Sequence, residues 1–438
     1  MKFDYAREPS RDILCIDCKS FYASVECVER GLHPLKTMLI VMSGAENSDG
    51  LVLAASPLAK KVLGITNVTR SNEVPYHKDL LVVPPRMNFY MAKNYQINKI
   101  YKSFVADEDH SVFSVDESFL DVTDSLTLFK CKNAYEMAKL IQLKVKEETG
   151  IYVTVGIGDN PLLAKLALDN GAKHSKDFIA EWRYENVQEK VWNIDPMTEF
   201  CGIGHRTEKR LNRLGIRSIQ DLAETEPYRL KKEFGVMGLQ LFAHAWGVDR
   251  SFLGQKRAAA KVDKSIGNGQ VLPRDYARQD QLELVLREIA DQVATRLRRS
   301  KLKTGCVSVS VGYSKGYSDK LGRHGWSKQI KIPITNNTRA LTEYVLHLFR
   351  SDYNGQDVRH VGVSYSKLAK TDAIQLDLFS DPEEELSEQR LDFLIDTIRK
   401  KYGFKSLIHA SSLLDGATAV SRSGLVAGHA GGNVGVSL

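Results

Sequence analysis

Three acidic residues stand beside short apolar stretches of this 438-residue chain. Asp17 follows the apolar run 13–16, and Asp116 and Glu117 are adjacent within a second apolar stretch. Because successive strand side chains point to opposite faces, adjacent acids can share one site only at a turn or bulge. A turn beside the end of the Asp17 strand would gather three mutually repelling carboxylates, which divalent cations relieve. Such oxygen ligands select Mg²⁺, and two such ions catalyse phosphoryl transfer. The spacing alone also allows a strand-end cap and an ordinary surface turn.

The neighbouring residues predict the elements that would position these acids. Residues 12–18 are typical of a short buried strand, and residues 20–30 of a helix. A segment with helical spacing stops at Gly150. Residues 152–158 alternate as in a strand, after which Asp159-Asn160-Pro161 caps and begins a further helix.

The second half of the chain has a different character. Residues 178–250 are polar and predict short helices, one of which follows Gly202 and Gly204. Two glycines before a helix are typical of a hairpin that offers backbone N–H groups to a phosphate, although an ordinary interhelical turn fits equally well. Residues 282–297 predict an amphipathic helix, 307–313 and 361–366 half-exposed strands, and the tail after 370 a loosely ordered segment.

The charge is unevenly distributed along the chain. The formal net charge is +7, and residues 256–328 contain 16 Lys or Arg against 7 Asp or Glu. A basic segment in an otherwise near-neutral protein indicates a polyanion-binding face. A solvated surface is the alternative.

The cysteines and the hydropathy indicate a protein of the cytoplasm. Cys15 and Cys18 form a C-x-x-C pair, but no second pair or nearby histidines complete a zinc site. We therefore expect reduced thiols, with Cys15 packed in the apolar run. No stretch approaches the roughly 18 apolar residues of a membrane span, and the N-terminus has no apolar signal core. We expect no membrane partner.

The residues around the acids resemble three motifs of the Y-family DNA polymerases, particularly the UmuC-like branch found in bacteria. Residues 17–26 match D-x-x-x-F-Y-A-x-V-E, residues 114–121 match S-x-D-E-x-x-L-D, and residues 155–167 match V-G-I-x-x-N-x-x-x-A-K-x-A. The motifs follow the family's order and spacing, and the resemblance covers about residues 10–415. It implies an error-prone, template-directed DNA polymerase for translesion synthesis, without proofreading.

The resemblance implies roles for individual residues of the first two motifs. Asp17, Asp116 and Glu117 would hold two Mg²⁺ ions, with help from the backbone carbonyl of Cys18. Tyr22 would be the steric gate, the ring that a 2′-hydroxyl on the incoming sugar would strike.

Further residues would bind the incoming deoxynucleoside triphosphate. Phe21 would pack beneath the nucleotide, and Lys165 would meet the triphosphate as a point charge. The family's Tyr-x-x-Arg pair is replaced here by Leu58 and Lys61, so the tyrosine is missing and Lys61 would supply charge without a fork. Lys60 is the rival candidate. Lys19, at a position often acidic or polar in relatives, is a further departure whose effect does not follow from the sequence.

The implied architecture is an α+β multidomain right hand. Its parts would be the palm (1–22 and 84–177), fingers (23–83), helix-hairpin-helix-like thumb (178–250), linker (251–262), little finger (263–368) and tail (369–438). The expected DNA contacts are Gly202 and Gly204 of the thumb and Arg296, Arg298, Arg299, Lys301 and Lys303 of the little finger. The basic excess falls in the little finger, which in this family grips the template and primer backbones.

The tail contains a short motif that implies a further partner. Gln375, Leu376, Asp377, Leu378 and Phe379 resemble the sliding-clamp-binding peptide Q-L-x-L-F, whose apolar anchors fill a groove. Primer-template DNA would be the main partner, and an accessory subunit or recombinase filament could also be required. Two other functions fit parts of the sequence: a non-catalytic, clamp-recruited DNA-binding scaffold, and a palm-domain nucleotide cyclase.

Overall fold

The computed structural model describes residues 3–44, 50–254, 264–370, 382–426 and 428–432. The chain divides into a first unit, residues 1–256 with 429–438, and a second unit, residues 257–428. No helix in the described ranges is both long and apolar enough to cross a membrane.

The first unit contains most of the helices and strands. Its elements are β1 (Ile13–Cys18), α1 (Phe21–Glu29), β2 (Leu39–Ser43), β3 (Leu51–Ala55), α2 (Pro57–Leu63), β4 (Leu81–Val83), α3 (Met87–Tyr101), β5 (His110–Val112), β6 (Glu117–Asp121), α4 (Ala134–Thr149), β7 (Val153–Gly158), α5 (Pro161–Ala167), β8 (Ile179–Trp182), α6 (His205–Arg213), α7 (Ile219–Glu224), α8 (Pro227–Phe234) and α9 (Val236–Ala245). The second unit contains β9 (Ser265–Tyr276), α10 (Gln279–Arg299), β10 (Lys303–Tyr313), β11 (Gly325–Thr335), α11 (Thr338–Asp352), β12 (Val358–Ala369), α12 (Pro382–Tyr402), α13 (Ala419–Arg422) and β13 (Leu425–Val426), and β14 (His429–Ala430) belongs again to the first unit.

Short 3₁₀ and π-helical turns connect these elements. The 3₁₀ turns are Tyr5–Arg7, Ser71–Glu73, Asp107–Asp109, Tyr184–Asn186, Met197–Glu199, Phe404–Ser406 and Ala410–Leu413. The π-helical turns are Leu168–Ala172, directly after α5, and Val187–Val191.

The predicted buried strand is the centre of a five-stranded sheet. The strand order is β5-β6-β1-β7-β8, with β1 antiparallel to both neighbours and β7 parallel to β8. Residues 13–16 of β1 are almost completely buried because both faces of the sheet are covered. The helices predicted around this sheet are confirmed. Gly150 ends α4 at φ 70°, and the Asn160 side chain accepts from Leu163 N–H at the start of α5.

Two smaller assemblies complete the first unit. Strands β3, β2 and β4 form a three-stranded sheet beside α2, over a core that includes Ile40 and Val52. The short helices predicted for residues 178–250 are present as α6 to α9, and they share a core with Leu211, Phe242 and Trp246.

The second unit is a four-stranded antiparallel sheet with helices on one face. Its order is β11-β10-β12-β9, with α10 packed on β9 and β12, and α11 packed on β10 and β11. The predicted apolar face of α10 is confirmed, since Leu282, Ile289 and Leu297 are fully buried. The alternation predicted for β10 is also present, because Val309 is buried while Ser310 is half-buried on the open face.

The predicted loose tail is wrong for residues 382–426. Charged side chains attach α12 to the helical face of the second unit. The Arg298 guanidinium contacts Asp396 at 2.7 Å and Asp392 at 3.1 Å, and Arg399 contacts Asp291 at 2.8 Å. The charged residues that suggested disorder therefore form ion pairs that are largely buried.

This network also corrects one of the expected DNA contacts. Arg298 donates in addition to Thr338 Oγ1 and to the Asn336 carbonyl, and its side chain is only 13% exposed. A guanidinium with these partners has no donor directed to a DNA phosphate. We therefore assign Arg298 to the packing of α12.

We predict that Asp396→Asn lowers the free energy of unfolding of the second unit by about 1–3 kcal/mol, because it leaves Arg298 with less of its buried negative partner. Urea unfolding followed by tryptophan fluorescence measures the change. Asp280→Asn is the matched control, since Asp280 and its partner Arg278 are both exposed, and it should leave unfolding unchanged. Equal effects of the two variants would contradict a supporting role for Asp396.

Candidate active site

Strand register brings the three predicted acids to one end of the five-stranded sheet. Asp17 on β1 lies directly opposite Glu117, the first residue of β6. The Cys18 N–H donates to the Asp116 carbonyl at 2.9 Å, which joins the second acid to the same strand. Residues far apart in the chain are thereby held at neighbouring positions.

A tight turn allows the adjacent side chains of Asp116 and Glu117 to lie at the same site, which a regular strand would not. Ser114 N–H donates to the Glu117 carbonyl at 3.1 Å, and the Ser114 hydroxyl donates to Asp116 Oδ1 at 2.9 Å. The same hydroxyl oxygen accepts from Glu117 N–H at 3.1 Å. The turn therefore interrupts strand alternation at the position where the sequence required it.

The three negative charges interact through a region with little water. Burial raises the pKa of Asp17 to about 6, Lys173 opposes the rise, and the carboxylates of Asp116 and Glu117 increase it further. The neighbouring acids thus disfavour the ionised form of Asp17. An additional positive charge in this region would lower the pKa of Asp17 again.

Two lysines supply positive charge from the segment after β7. Lys165 Nζ lies 2.5 Å from Glu117 Oε1, and Lys173 Nζ lies 3.2 Å from Asp17 Oδ2. Asp169 joins them, at 3.1 Å from Lys165 and 2.8 Å from Lys173. Burial opposes the charge on Lys165, yet its hydrogen bond to Glu117 holds its pKa above the ordinary value.

Close packing of α5 on β7 makes this arrangement possible. A Cβ on Gly156 would lie 2.1 Å from the Ala164 carbonyl oxygen, and one on Gly158 would lie 2.4 Å from the Ala164 nitrogen. Only glycine allows the helix backbone to approach the strand this closely. The glycines of the third motif therefore bring Lys165 to the acidic end of the sheet.

The donor set fits a hard divalent cation. In the described parts of the chain, no three His, Cys, Asp or Glu side chains stand in an arrangement that could hold a metal ion. Lys165 and Lys173 contact two of the three acids in this arrangement. The acids nonetheless offer only oxygen ligands, and their mutual effect on the pKa of Asp17 is the electrostatic condition that a cation relieves.

Tyr22 lies beside the acids on α1. Burial raises the pKa of Tyr22, and the charge of Asp116 raises it further, so the phenol is within electrostatic range of the site. The Tyr22 ring is half-buried and stacks on Tyr90, with centroids 4.6 Å apart. Phe21 is 2% exposed and its ring centroid lies 5.6 Å from that of Tyr22, so Phe21 supports the neighbouring ring from within the core.

Lys60, the rival candidate on α2, lies within electrostatic range of the acids. Burial lowers the pKa of Lys60, while Asp17 and Asp116 raise it, which places the ammonium group within electrostatic range of both acids. Both side chains are exposed, and Lys61 lies one position further along α2, where the helix has turned by about 100°. We therefore favour Lys60 as the triphosphate contact, and the role of Lys61 stays a prediction.

Lys19 is a further cation near the acids. Its ammonium group lies 4.5 Å from the centre of the Phe178 ring. Burial lowers the pKa of Lys19, Asp17 raises it, and the positive charges of Lys60 and Lys173 lower it. The departure from the family pattern therefore adds a positive charge to a site that already contains three lysines.

The glycine hairpin before α6 borders an open cleft. Gly202 has φ 98°, and Gly204 precedes the first residue of α6 with open space around its Cα. The cleft has a volume of about 740 Å³, and its wall includes Lys173 and His174 as well as residues 198–204. The hairpin and the lysine that pairs with Asp17 thus line the same space.

The basic residues of the second unit lie around the end of α10. Arg299 and Lys301 are exposed, and Lys303 is half-buried at the start of β10. Arg296 is exposed and donates to the Gly267 carbonyl at 3.0 Å.

Comparisons with known proteins cover nearly the whole chain. The impB/mucB/samB family model matches residues 16–169, its C-terminal domain model matches residues 263–378, and a DNA polymerase-iota thumb-domain model matches residues 198–249. The chain is 40% identical to the putative UV-damage repair protein UvrX of Bacillus subtilis (strain 168), over 97% of this chain and 99% of that protein. It is 36% identical to DNA polymerase IV 2 of the same strain, over 95% of this chain and 98% of the relative.

The chain belongs to the Y family of DNA polymerases. A solved Y-family DNA polymerase chimera, Dbh-Dpo4(243-245)-Dbh, has the same fold, with a TM-score of 0.63 at 24% identity over 82% of this chain and 100% of that chain. The right-hand α+β architecture expected from the sequence is thereby confirmed. All three acids and Lys165 fall within the part of this Y-family polymerase that the first family model matches.

Several residues of the site were missing from the sequence candidates. Lys173 and Asp169 follow Lys165 at intervals of four residues, so a helical continuation through Leu168–Ala172 would have placed all three on one face. Tyr90 carries no such signal, because its partner Tyr22 lies on another element and their contact depends on tertiary packing.

We predict that Asp17→Asn stabilises the metal-free protein at neutral and alkaline pH. A carboxyl whose pKa is raised by folding, here from 3.8 to about 6, stabilises the folded state at low pH, and this contribution is lost as the pH rises through about 6. The amide of the Asp17→Asn variant does not ionise, so its contribution to stability does not change with pH. In EDTA, the variant should therefore melt a few degrees above the wild type at pH 8, and the difference should shrink towards pH 4.

Asp79→Asn is a suitable control for this measurement, since the Asp79 side chain is 62% exposed. Its melting temperature should follow that of the wild type at both pH values. A wild type and an Asp17→Asn variant with the same pH dependence would show that burial and the neighbouring acids do not raise the pKa of Asp17.

Proposed function

We propose that this chain is an error-prone, template-directed DNA polymerase for translesion synthesis that uses two Mg²⁺ ions held by Asp17, Asp116 and Glu117. The observation that carries the proposal is the convergence of these acids at the end of β1, with a pKa of about 6 for Asp17. When bound, the two ions would lower the pKa of the primer 3′-hydroxyl and neutralise the transferred phosphate. Besides the acids, the Cys18 carbonyl is the proposed backbone ligand.

The lysines would bind the triphosphate. Lys165 and Lys173 contact Glu117 and Asp17, and Lys60 lies within range of Asp17 and Asp116. These three ammonium groups would hold the negative charge of the incoming phosphates beside the acids. Each acts as a point charge, which tolerates small differences in phosphate position better than a guanidinium fork does.

Tyr22 would select deoxyribose. Its half-buried ring lies within electrostatic range of Asp116, and the incoming sugar would lie against this ring. A ring in this place would clash with a 2′-hydroxyl, as the resemblance implies. Phe21 would support the gate from the core rather than touch the nucleotide.

Two surfaces would hold primer-template DNA. Gly202 and Gly204 lie beside the cleft that Lys173 lines and would offer it backbone N–H groups. In the second unit, we retain the basic residues in and just after the last turn of α10 as the proposed phosphate contacts: Arg296, Arg299, Lys301 and Lys303. Such contacts position the duplex without reading its sequence, as a polymerase requires.

The proposed domains follow the boundaries drawn from the sequence. Residues 1–22 and 84–177 would be the palm, 23–83 the fingers, 178–250 the thumb and 263–368 the little finger. In the described residues of the fingers, 23–44 and 50–83, the main elements are a three-stranded sheet and two helices, which offer little surface to test the shape of the new base pair. A damaged template base would therefore be accepted at a cost in fidelity.

A sliding clamp is a proposed partner. The peptide 375–379 lies outside the residues that the structure describes, so its sequence alone supports the proposal. A leucine and a phenylalanine would fill an apolar groove on the clamp, while the glutamine would bind the rim of that groove.

We predict that Asp116→Ala lowers primer extension with Mg²⁺ by roughly a thousandfold, because it removes a ligand on which the charge balance of the site depends. Extension is followed on gels with an undamaged template and with an abasic template. Binding of primer-template DNA, measured by fluorescence anisotropy, should stay near the wild-type value.

The same assay separates the alternative functions. A DNA-binding scaffold would bind the duplex without extending it, and a nucleotide cyclase would consume nucleotide without a template. Extension by the wild type on both templates supports the polymerase, whereas undiminished extension by Asp116→Ala would refute the assignment of the acids.

We predict that Lys60→Ala raises the KM for the incoming deoxynucleotide about tenfold, since a charge-assisted contact with the triphosphate would be lost. Lys61→Ala is the matched control one position along α2, and its KM should stay within about twofold of the wild type. Single-nucleotide incorporation under steady-state conditions gives both constants. A larger effect at Lys61 than at Lys60 would restore the original expectation.

A further inference from the structure

We infer that Tyr90 is a positioning residue for sugar selection, because its buried ring is the fixed support on which the Tyr22 gate rests. The inference builds on the proposed gate function of Tyr22. It concerns α3, an element outside the three motifs, and assigns to Tyr90 a part in discrimination between deoxyribonucleotides and ribonucleotides.

The two tyrosine rings are stacked face to face. Their centroids are 4.6 Å apart and their planes are inclined by 15°. Tyr22 is half-buried, whereas Tyr90 is fully buried. One face of the gate ring is thus covered by a ring that is itself enclosed by the core. Tyr22 cannot move towards that side without displacing Tyr90.

Tyr90 is held at its far end by a buried carboxylate. The Tyr90 hydroxyl donates to Glu26 Oε1 at 2.7 Å, and the Glu26 side chain is completely buried. The Arg86 guanidinium donates to the same carboxylate from Nε at 2.9 Å and from Nη2 at 2.8 Å. Burial disfavours the charge of Glu26, but hydrogen bonds from Arg86, Tyr90 and Arg30 keep its pKa below the ordinary value. Such charge-assisted, bidentate bonds fix the orientation of both partners.

These contacts form a closed circuit between two helices. Tyr22 and Glu26 lie one turn apart on α1, and Arg86 and Tyr90 lie at the start of α3. The stacking contact connects the helices on one side, and the Glu26 hydrogen bonds connect them on the other. A ring that is part of this circuit resists displacement in both directions.

Resistance to displacement is what a steric gate needs. A clash with a 2′-hydroxyl discriminates only if the ring cannot yield, since a side chain with free space behind it would rotate at small cost. The support supplied by Tyr90 therefore determines how strongly the clash lowers kcat/KM for a ribonucleotide. Deoxynucleotides do not press on the ring and should be little affected.

The test compares Tyr90→Leu with the conservative variant Tyr90→Phe. The measured quantity is kcat/KM for dCTP divided by kcat/KM for CTP, opposite an undamaged guanine, because losses of active enzyme cancel in this ratio. We expect Tyr90→Leu to lower the ratio about two- to tenfold, the range given by an aromatic pair, with most of the change in kcat/KM for CTP. Tyr90→Phe keeps the stacked ring and should retain most of the discrimination.

Tyr22→Ala and the double variant Tyr22→Ala/Tyr90→Leu complete the experiment. If Tyr90 acts through Tyr22, Tyr90→Leu should change the ratio little once the gate ring is absent. A full additional loss in the double variant would overturn the inference. If Tyr22→Ala lowers discrimination and Tyr90→Leu does not, the gate stands and the inference about Tyr90 fails. If Tyr22→Ala has no effect, the gate assignment itself fails.

A second variant covers the case in which Tyr90→Leu does not fold. Arg86→Lys leaves both rings in place but removes the fork that holds Glu26, at a side chain that is 31% exposed. We expect it to lower the ratio about two- to threefold in the same direction, at the low end of the range for Tyr90→Leu, because the stacked rings remain and only their support is loosened. Wild-type discrimination in a folded Arg86→Lys variant would count against the closed circuit.

Discussion

Mutual repulsion among three carboxylates is the constraint around which the first unit is organised. Asp17 and the Asp116-Glu117 turn meet at the end of a buried sheet, where the cost of their charges is highest. The lysines on and after α5 offset that cost, and Asp169 holds them together. The glycines of β7 allow α5 to approach closely enough for these contacts. Residues that are far apart in the chain thus act together to offset the repulsion between the three carboxylates.

Helix α3 contacts both the acidic site and Tyr22, the proposed gate. Tyr90 stacks under Tyr22, and one turn later the Asn94 side chain donates to the Val115 carbonyl beside the acidic turn. A further turn along, Asn98 accepts from Ser118 Oγ at 2.9 Å on β6. One helix therefore contacts both the proposed gate and the turn and strand that carry two of the acids. A shift of α3 would change the position of the gate and of the acids together.

Local patterns predicted most of the elements, and tertiary contacts account for what they missed. The run before Asp17, the stop at Gly150 and the apolar face of α10 are local signals, and each is confirmed. The choice between Lys60 and Lys61 depends on how α2 is rotated towards the acids, which charge alone does not encode. The role of Arg298 was missed for a similar reason, because its acidic partners lie almost a hundred residues later. Composition suggested a loose tail there, and long-range ion pairing overrode it.

The attachment of α12 has a consequence for the second unit as a whole. Ala369 ends an inner strand of this unit, and Pro382 begins the helix whose Asp392 and Asp396 pair with Arg298. Removal of the chain after Ala369 would therefore take both carboxylate partners from a guanidinium that is only 13% exposed. A chain truncated at that strand would have a less stable second unit, even though every strand of the four-stranded sheet would still be present.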